Sequence, residues 1–192
     1  MEAAVGFSTH SGWAVAINCG FDDAGHLRVT DRRRVELVDD NLPRQAYHAA
    51  AGLAVPAADA VVNRVDASIL ARARSALEEI LASSDDLTVV RVAVVGEPRD
   101  IPDVATVLAS HALMHACEGE QYRRGIVDAA RGIGLPTLRI APTELTTRLN
   151  AIIGWTPART ESELAAVRAE IGPPWQKDHK TAAMAALAAL RP

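Results

Sequence analysis

Ser8, Glu97, Asp178 and His179 are the residues whose types and positions offer chemistry. Two-metal cleavage of a phosphodiester needs several anionic oxygens, because two divalent ions about 4 Å apart must be bridged and oriented. Glu97 follows the clearest strand of the chain, Thr88–Val95, almost directly. A carboxylate at the tip of a buried strand needs a reason, and surface capping is the competing one. Asp178 opens the last helical stretch, where exposed N–H groups and the macrodipole favour any anion, ligand or not. Lys177 and Lys180 flank it within one turn. Their ammonium groups either stand in for metal charge, touch a phosphate, or simply solvate the helix start. Ser8 ends the first apolar run. As a nucleophile it would need a neighbouring base, which the sequence does not place there, so an ordinary turn residue is the competing reading.

Three further groups are weaker. His111 and His115 are four apart, so on a helix they share a face and could hold zinc. Ala112 excludes an HExxH pattern, and only Cys117, Glu118 and Glu120 offer nearby third ligands, so exposed or packed histidines are the expectation. Arg123-Arg124 and Arg32-Arg33-Arg34 would make either phosphate-contacting surfaces or solvated faces. Cys19 and Cys117 have no CxxC spacing and read as reduced, buried thiols.

The elements that must position these residues follow from periodicity. Ala3–Phe7 and Trp13–Cys19 read as two apolar strands joined by a polar turn over Ser8–Gly12. Leu27–Val38 alternates around the three arginines and is predicted to be a third, antiparallel edge strand with those arginines exposed. Arg44–Leu53 is a predicted short helix, and Ala58–Ser83 a long one that ends at Ser83-Ser84-Asp85-Asp86. Thr88–Val95 is β-branched and apolar, hence a central strand parallel to the first. Val104–Ile133 reads as helix, broken near Gly119, and Thr137–Ala141 as a fifth strand. A short helix then ends near Gly154. Residues 155–174 read as a helical insert, with Thr160 or Ser162 as cap and Glu161–Glu170 helical. The last helix runs from about Gln176 to Leu190. A hairpin meander followed by β-α-β crossovers predicts a mixed five-stranded sheet with helices on both faces, one domain over 1–192.

The formal net charge of −4 provides no global attraction to nucleic acid or to an anionic membrane, so nucleic-acid binding would need a local basic patch. Neither a charged-then-apolar leader nor a run of about 18 apolar residues is present, so a cytoplasmic chain away from membranes is expected. Hydrophobic residues reach 49% with only 4% aromatic, which implies a core of small residues.

On this architecture the sequence resembles the RuvC-type Holliday-junction resolvases of the ribonuclease H-like superfamily. Gly6-Phe7-Ser8 and Ser11-Gly12-Trp13 stand where that family has a strand, an aspartate and a Thr-Gly-aromatic strand. Glu97 matches its glutamate, Leu135–Leu145 its Gly-Leu-Pro-strand-Ala-Pro-Thr-Glu run, and Asp178 the first of two aspartates in its last helix. The departures are Ser8 for the metal-bridging aspartate, Thr181 for the second aspartate, and Thr146 for a DNA-contacting lysine. A serine hydroxyl is a neutral, weak ligand for a hard dication. The resemblance therefore implies a degenerate centre in which Glu97 and Asp178 are remnants of a metal site. It implies Mg²⁺ or Mn²⁺ binding that is weak or lost, and a non-catalytic protein binding DNA, RNA or a partner through Lys177, Lys180, Arg123 and Arg124. The alternatives are an active Mg²⁺- or Mn²⁺-dependent nuclease using Glu97, Asp178, His179 and Ser8, and a structural or oligomerisation scaffold. A homodimer is also implied by the resemblance alone.

Overall fold

The structure is a computed structural model that describes residues 1–84 and 87–190. Its elements are β1 (Glu2–His10), β2 (Trp13–Phe21), β3 (Leu27–Glu36), α1 (Ala46–Ala50), α2 (Val55–Ala82), β4 (Thr88–Val95), α3 (Val104–Leu108), α4 (His111–Gly132), β5 (Thr137–Ile140), α5 (Leu145–Ile153), α6 (Pro157–Ile171) and α7 (Lys177–Ala189). The strands form one mixed sheet in the order β3-β2-β1-β4-β5, with β4 parallel to β1 and β5 parallel to β4. The expected meander, edge strand and crossovers are all present.

Alternation along each strand splits the core in two. Ala3, Val5 and Phe7 of β1 and Val92 and Val94 of β4 face α1, α2 and α4, joining Val65, Ile69, Leu77 and Ile126. Ala4 and Ala93 face the other way, onto α5, α6 and α7, where seven buried residues of α7 are six alanines and one leucine. Small side chains on that helix let it lie close to the sheet.

Several local expectations need correction. The first strand does not stop at Phe7: β1 runs on to His10, and the β1–β2 turn is only Ser11-Gly12, because His10 pairs with Trp13. Ser8 is thus inside the hairpin, paired with Val15, although the β1–β4 ladder ends one residue earlier at Phe7 and Val94. The helix after Val104 breaks at Ala109-Ser110, where Ser110 caps α4, and continues through Gly119. The cap of α6 is Thr156, whose hydroxyl accepts from the Arg159 N–H, in place of Thr160 or Ser162. The Asp85-Asp86 half of the predicted helix stop lies outside the described residues. No helix among the described residues is long and apolar enough to cross a membrane.

Cys19 and Cys117 are free and buried. Burial pushes the Cys19 thiol up to about 12 and also raises Cys117. An alkylating reagent at neutral pH is therefore expected to leave both unmodified in native protein and to label both in denaturant, counted by mass spectrometry. Labelling of native Cys19 would contradict this packing.

Candidate functional site

The site is built by the approach of α7 to β1. A Cβ on Gly6 would lie 1.9 Å from the carbonyl oxygen of Ala182, so helix backbone and strand backbone are in direct contact there. From that point, four helix residues back to Asp178 span about 6 Å. Two strand residues on to Ser8 span about 6.6 Å. The two steps nearly match, and the head of α7 comes to rest over Ser8.

Ser8, 8% exposed, donates its hydroxyl to Asp178 Oδ1 over a long 3.4 Å. The other carboxylate oxygen, Oδ2, is 3.0 Å from His10 Nε2. His10 is stacked on Trp13, with ring centroids 4.1 Å apart, and the Arg34 guanidinium lies 3.8 Å from the Trp13 ring. Asp178 therefore stands between a serine and a histidine. This is not a nucleophile-base pair, since the serine hydroxyl is bonded to the carboxylate and not to the imidazole. It is a carboxylate already engaged by an imidazole ring nitrogen. His10 was not singled out by the sequence, although its spacing of two from Ser8 on a strand places both on one face.

The other residues at the helix head are used locally. His179 turns back, its Nδ1 accepting from the Gln176 N–H at 3.3 Å, and its ring lies tilted 6.0 Å from Trp175. Burial, and then the charge of Arg32, hold His179 below its ordinary value, against the opposing pull of Asp178. The Thr181 hydroxyl donates to the Lys177 carbonyl at 2.9 Å. Lys177 is exposed, Lys180 is half-buried, and neither makes an ion pair among the described residues.

Glu97 is exposed and lies at the same end of the sheet as Ser8, since it follows Val94, the partner of Phe7, by three positions. It touches neither Ser8 nor Asp178 through a hydrogen bond. Its backbone, however, is held. Arg139 of β5 donates Nε to Gly96 O at 2.9 Å and Nη2 to Glu97 O at 2.7 Å. The same guanidinium donates to both oxygens of Glu120 at 2.8 Å, and Arg123 Nε donates to Glu120 Oε2 at 3.0 Å. Glu120 is 3% exposed. Gly96 sits at φ 117° with the Arg123 side chain against it, where a Cβ would be 2.8 Å from Cδ. In the sequence Glu120 reads only as a third ligand for His111 and His115, and Arg139 is not legible as a site residue, because a charged residue in a short strand reads as solvent-facing.

The two arginine groups are engaged by their neighbours to different degrees. Arg123 is half-buried on Glu120, whereas Arg124 is 3.6 Å from Asp128. Arg124 also lines a cavity of about 470 Å³ with Asp59, Asp66, Asp103 and Asp128, a poor place for a phosphate. Of the edge arginines expected to be exposed, only Arg34 is. Arg32 Nη1 donates to the carbonyls of Gly172 at 2.8 Å and Pro174 at 2.7 Å, fastening the segment that leads into α7. Arg33 pairs with Asp31 and with Glu79.

No protein-family model and no curated protein matches the sequence. Among solved structures the chain is similar to Thermus thermophilus RuvC at 12% identity, covering 97% of this chain and 92% of that one, with a TM-score of 0.54. It is likewise similar to T. thermophilus RuvC in complex with Holliday junction substrate, at 15% identity over 98% of this chain and 92% of that one, with a TM-score of 0.55. These likenesses establish the fold as ribonuclease H-like, of the RuvC type.

Proposed function

With a RuvC-type ribonuclease H-like fold as the premise, we propose that this chain binds nucleic acid without carrying a two-metal nuclease centre. One observation carries the reading: Asp178, the carboxylate in contact with Ser8, is also hydrogen-bonded to His10 Nε2 at 3.0 Å. A pair of hard dications needs several free anionic oxygens. Here Ser8 contributes a neutral hydroxyl, Asp178 is engaged by an imidazole, and the Thr181 hydroxyl is spent on the helix backbone. Glu97 keeps an exposed carboxylate at this end of the sheet but makes no hydrogen bond to Ser8 or Asp178. The residues present do not fit two Mg²⁺ or Mn²⁺ ions. The alternative nuclease reading also needs His179 as a ligand, and its Nδ1 is taken by the cap of α7.

What supports nucleic acid as the partner is the surface around the same helix head and the company the fold keeps. Lys177 and Lys180 stand there without ion-pair partners among the described residues, and the similar T. thermophilus RuvC is known in complex with a Holliday junction substrate. Branched DNA is accordingly the first ligand to test. Binding is expected to weaken steadily as salt rises, and Lys177→Ala with Lys180→Ala to reduce the log–log slope by up to about 2. Incubation with Mn²⁺ is expected to leave the DNA intact. Cleavage that disappears in Glu97→Ala would overturn the reading, and so would binding that ignores salt.

A further inference from the structure

On the opposite face of the sheet, but at the same end, three histidines from two helices meet. The connections force this arrangement: β3 runs parallel to β1 and feeds α1, and α4 must start where β4 finishes to return the chain to β5. His48 of α1 and His111 and His115 of α4 each place one ring nitrogen within 4.8 Å of the others. Their rings are tilted or edge-on to one another, with centroids 4.4 to 5.2 Å apart, so all three converge on one small volume. We infer that His48, His111 and His115 form a binding site for a divalent transition metal of the zinc class, oriented by Glu118.

The argument rests on how His48 is held. Glu118, 1% exposed, accepts from the His48 backbone N–H at 3.0 Å and sits 2.9 Å from His48 Nδ1 through both carboxylate oxygens. A carboxylate there assigns the proton to Nδ1 and leaves the lone pair on Nε2. That Nε2 is buried and has no hydrogen-bond partner. A buried nitrogen without a partner is costly, and a metal ion resolves it. Carboxylate–histidine–metal is also the arrangement by which proteins fix the tautomer and orientation of a ligating imidazole.

Three neutral imidazoles select Zn²⁺ and its neighbours over Mg²⁺, Mn²⁺ or Ca²⁺, which prefer oxygen. Bonds of about 2.0–2.1 Å to a tetrahedral zinc would bring the nitrogens to about 3.3 Å apart. His111 and His115 are exposed and can rotate inward to close the difference. A fourth position remains for water or for a ligand, as in zinc sites that are not purely structural. The third histidine lies outside the sequence window of the other two: Glu118 and His48 are 70 positions apart, and α1 brings them together.

The test is calorimetric titration of untagged protein with Zn²⁺, with Mg²⁺ as a comparison, and the visible spectrum of the Co²⁺ form. One Zn²⁺ per chain and tetrahedral cobalt bands are expected, with no binding of Mg²⁺ at these histidines. His111→Ala with His115→Ala removes two exposed ligands without disturbing the core and is expected to weaken Zn²⁺ at least about tenfold. Glu118→Gln keeps the shape of the side chain and is expected to weaken it about 10- to 100-fold, the range for an outer partner of a ligating histidine. Absence of Zn²⁺ binding by the wild type, or a loss below tenfold in the double variant, overturns the inference. Neither result bears on nucleic-acid binding, which involves the other face.

Discussion

Gly6→Ala is expected to be among the most damaging single substitutions in this chain, costing about 3 kcal/mol, at the upper end of ordinary overpacking. One methyl group is added, but its carbon would fall 1.9 Å from the Ala182 carbonyl oxygen and 2.9 Å from the Ala186 nitrogen. Both are backbone atoms of α7, so no side chain can swing away and the whole helix must lift. Lifting α7 strips contacts from the alanine-rich half of the core, formed by Ala182, Ala183, Ala185 and Ala186 against Ala4 and Ala93. For a chain of this size the melting temperature should fall by roughly 10 °C, read by circular dichroism. The same movement separates Asp178 from Ser8, so the variant should also lose whatever the helix head contributes to nucleic-acid binding. An unchanged melting temperature would mean that helix and strand are not in backbone contact.

Arg139→Met is expected to cost about 3–5 kcal/mol, because it leaves a buried carboxylate short of its main partner. Arg139 is itself only 11% exposed at its side chain and gives two of the hydrogen bonds that Glu120 receives. Burial alone would raise Glu120, and it is the largest single influence. The hydrogen bonds and charges of Arg139 and then Arg123 together outweigh it and hold Glu120 below the ordinary carboxylate range. The sign of the pH dependence follows. A depressed folded value means that this contribution is fully present above the unfolded value and is lost as pH falls through the folded one. Urea unfolding of the wild type should therefore weaken toward acid. At neutral pH Arg139→Met combined with Glu120→Gln should be more stable than Arg139→Met alone, and its acid limb should be flatter than that of the wild type. A double variant no better than the single one would show that Arg139 matters through its bonds to Gly96 and Glu97, not through Glu120.

The local pattern settled more of the fold than of the site. Thr88–Val95 has the same bounds in the sequence reading and in the structure, because a β-branched, nearly uninterrupted apolar run bounded by turn residues has one sensible conformation. The meander, the edge position of β3 and the parallel pairing of β4 with β1 were legible for the same reason. Boundaries that depend on competition between neighbours were not. Gly119 reads as a helix break, yet α4 continues through it, since the roughly 1 kcal/mol penalty of a helical glycine is small beside the packing on both sides.

For the site, the sequence by itself determined the kinds of residue at three positions near one end of the sheet: a serine at position 8, a glutamate at 97 and an aspartate at 178. It also determined that a serine cannot supply the charge of a bridging carboxylate. Only the tertiary structure decided who faces whom. Asp178 meets His10 across 168 positions, and His48 meets Glu118 across 70. Arg139 closes on Glu120 and on the backbone of Glu97 from a neighbouring strand. Periodicity records which face a residue occupies within its own element. Partners across elements are set by strand order and by how closely a helix can approach a sheet, and here a single glycine under α7 sets that approach.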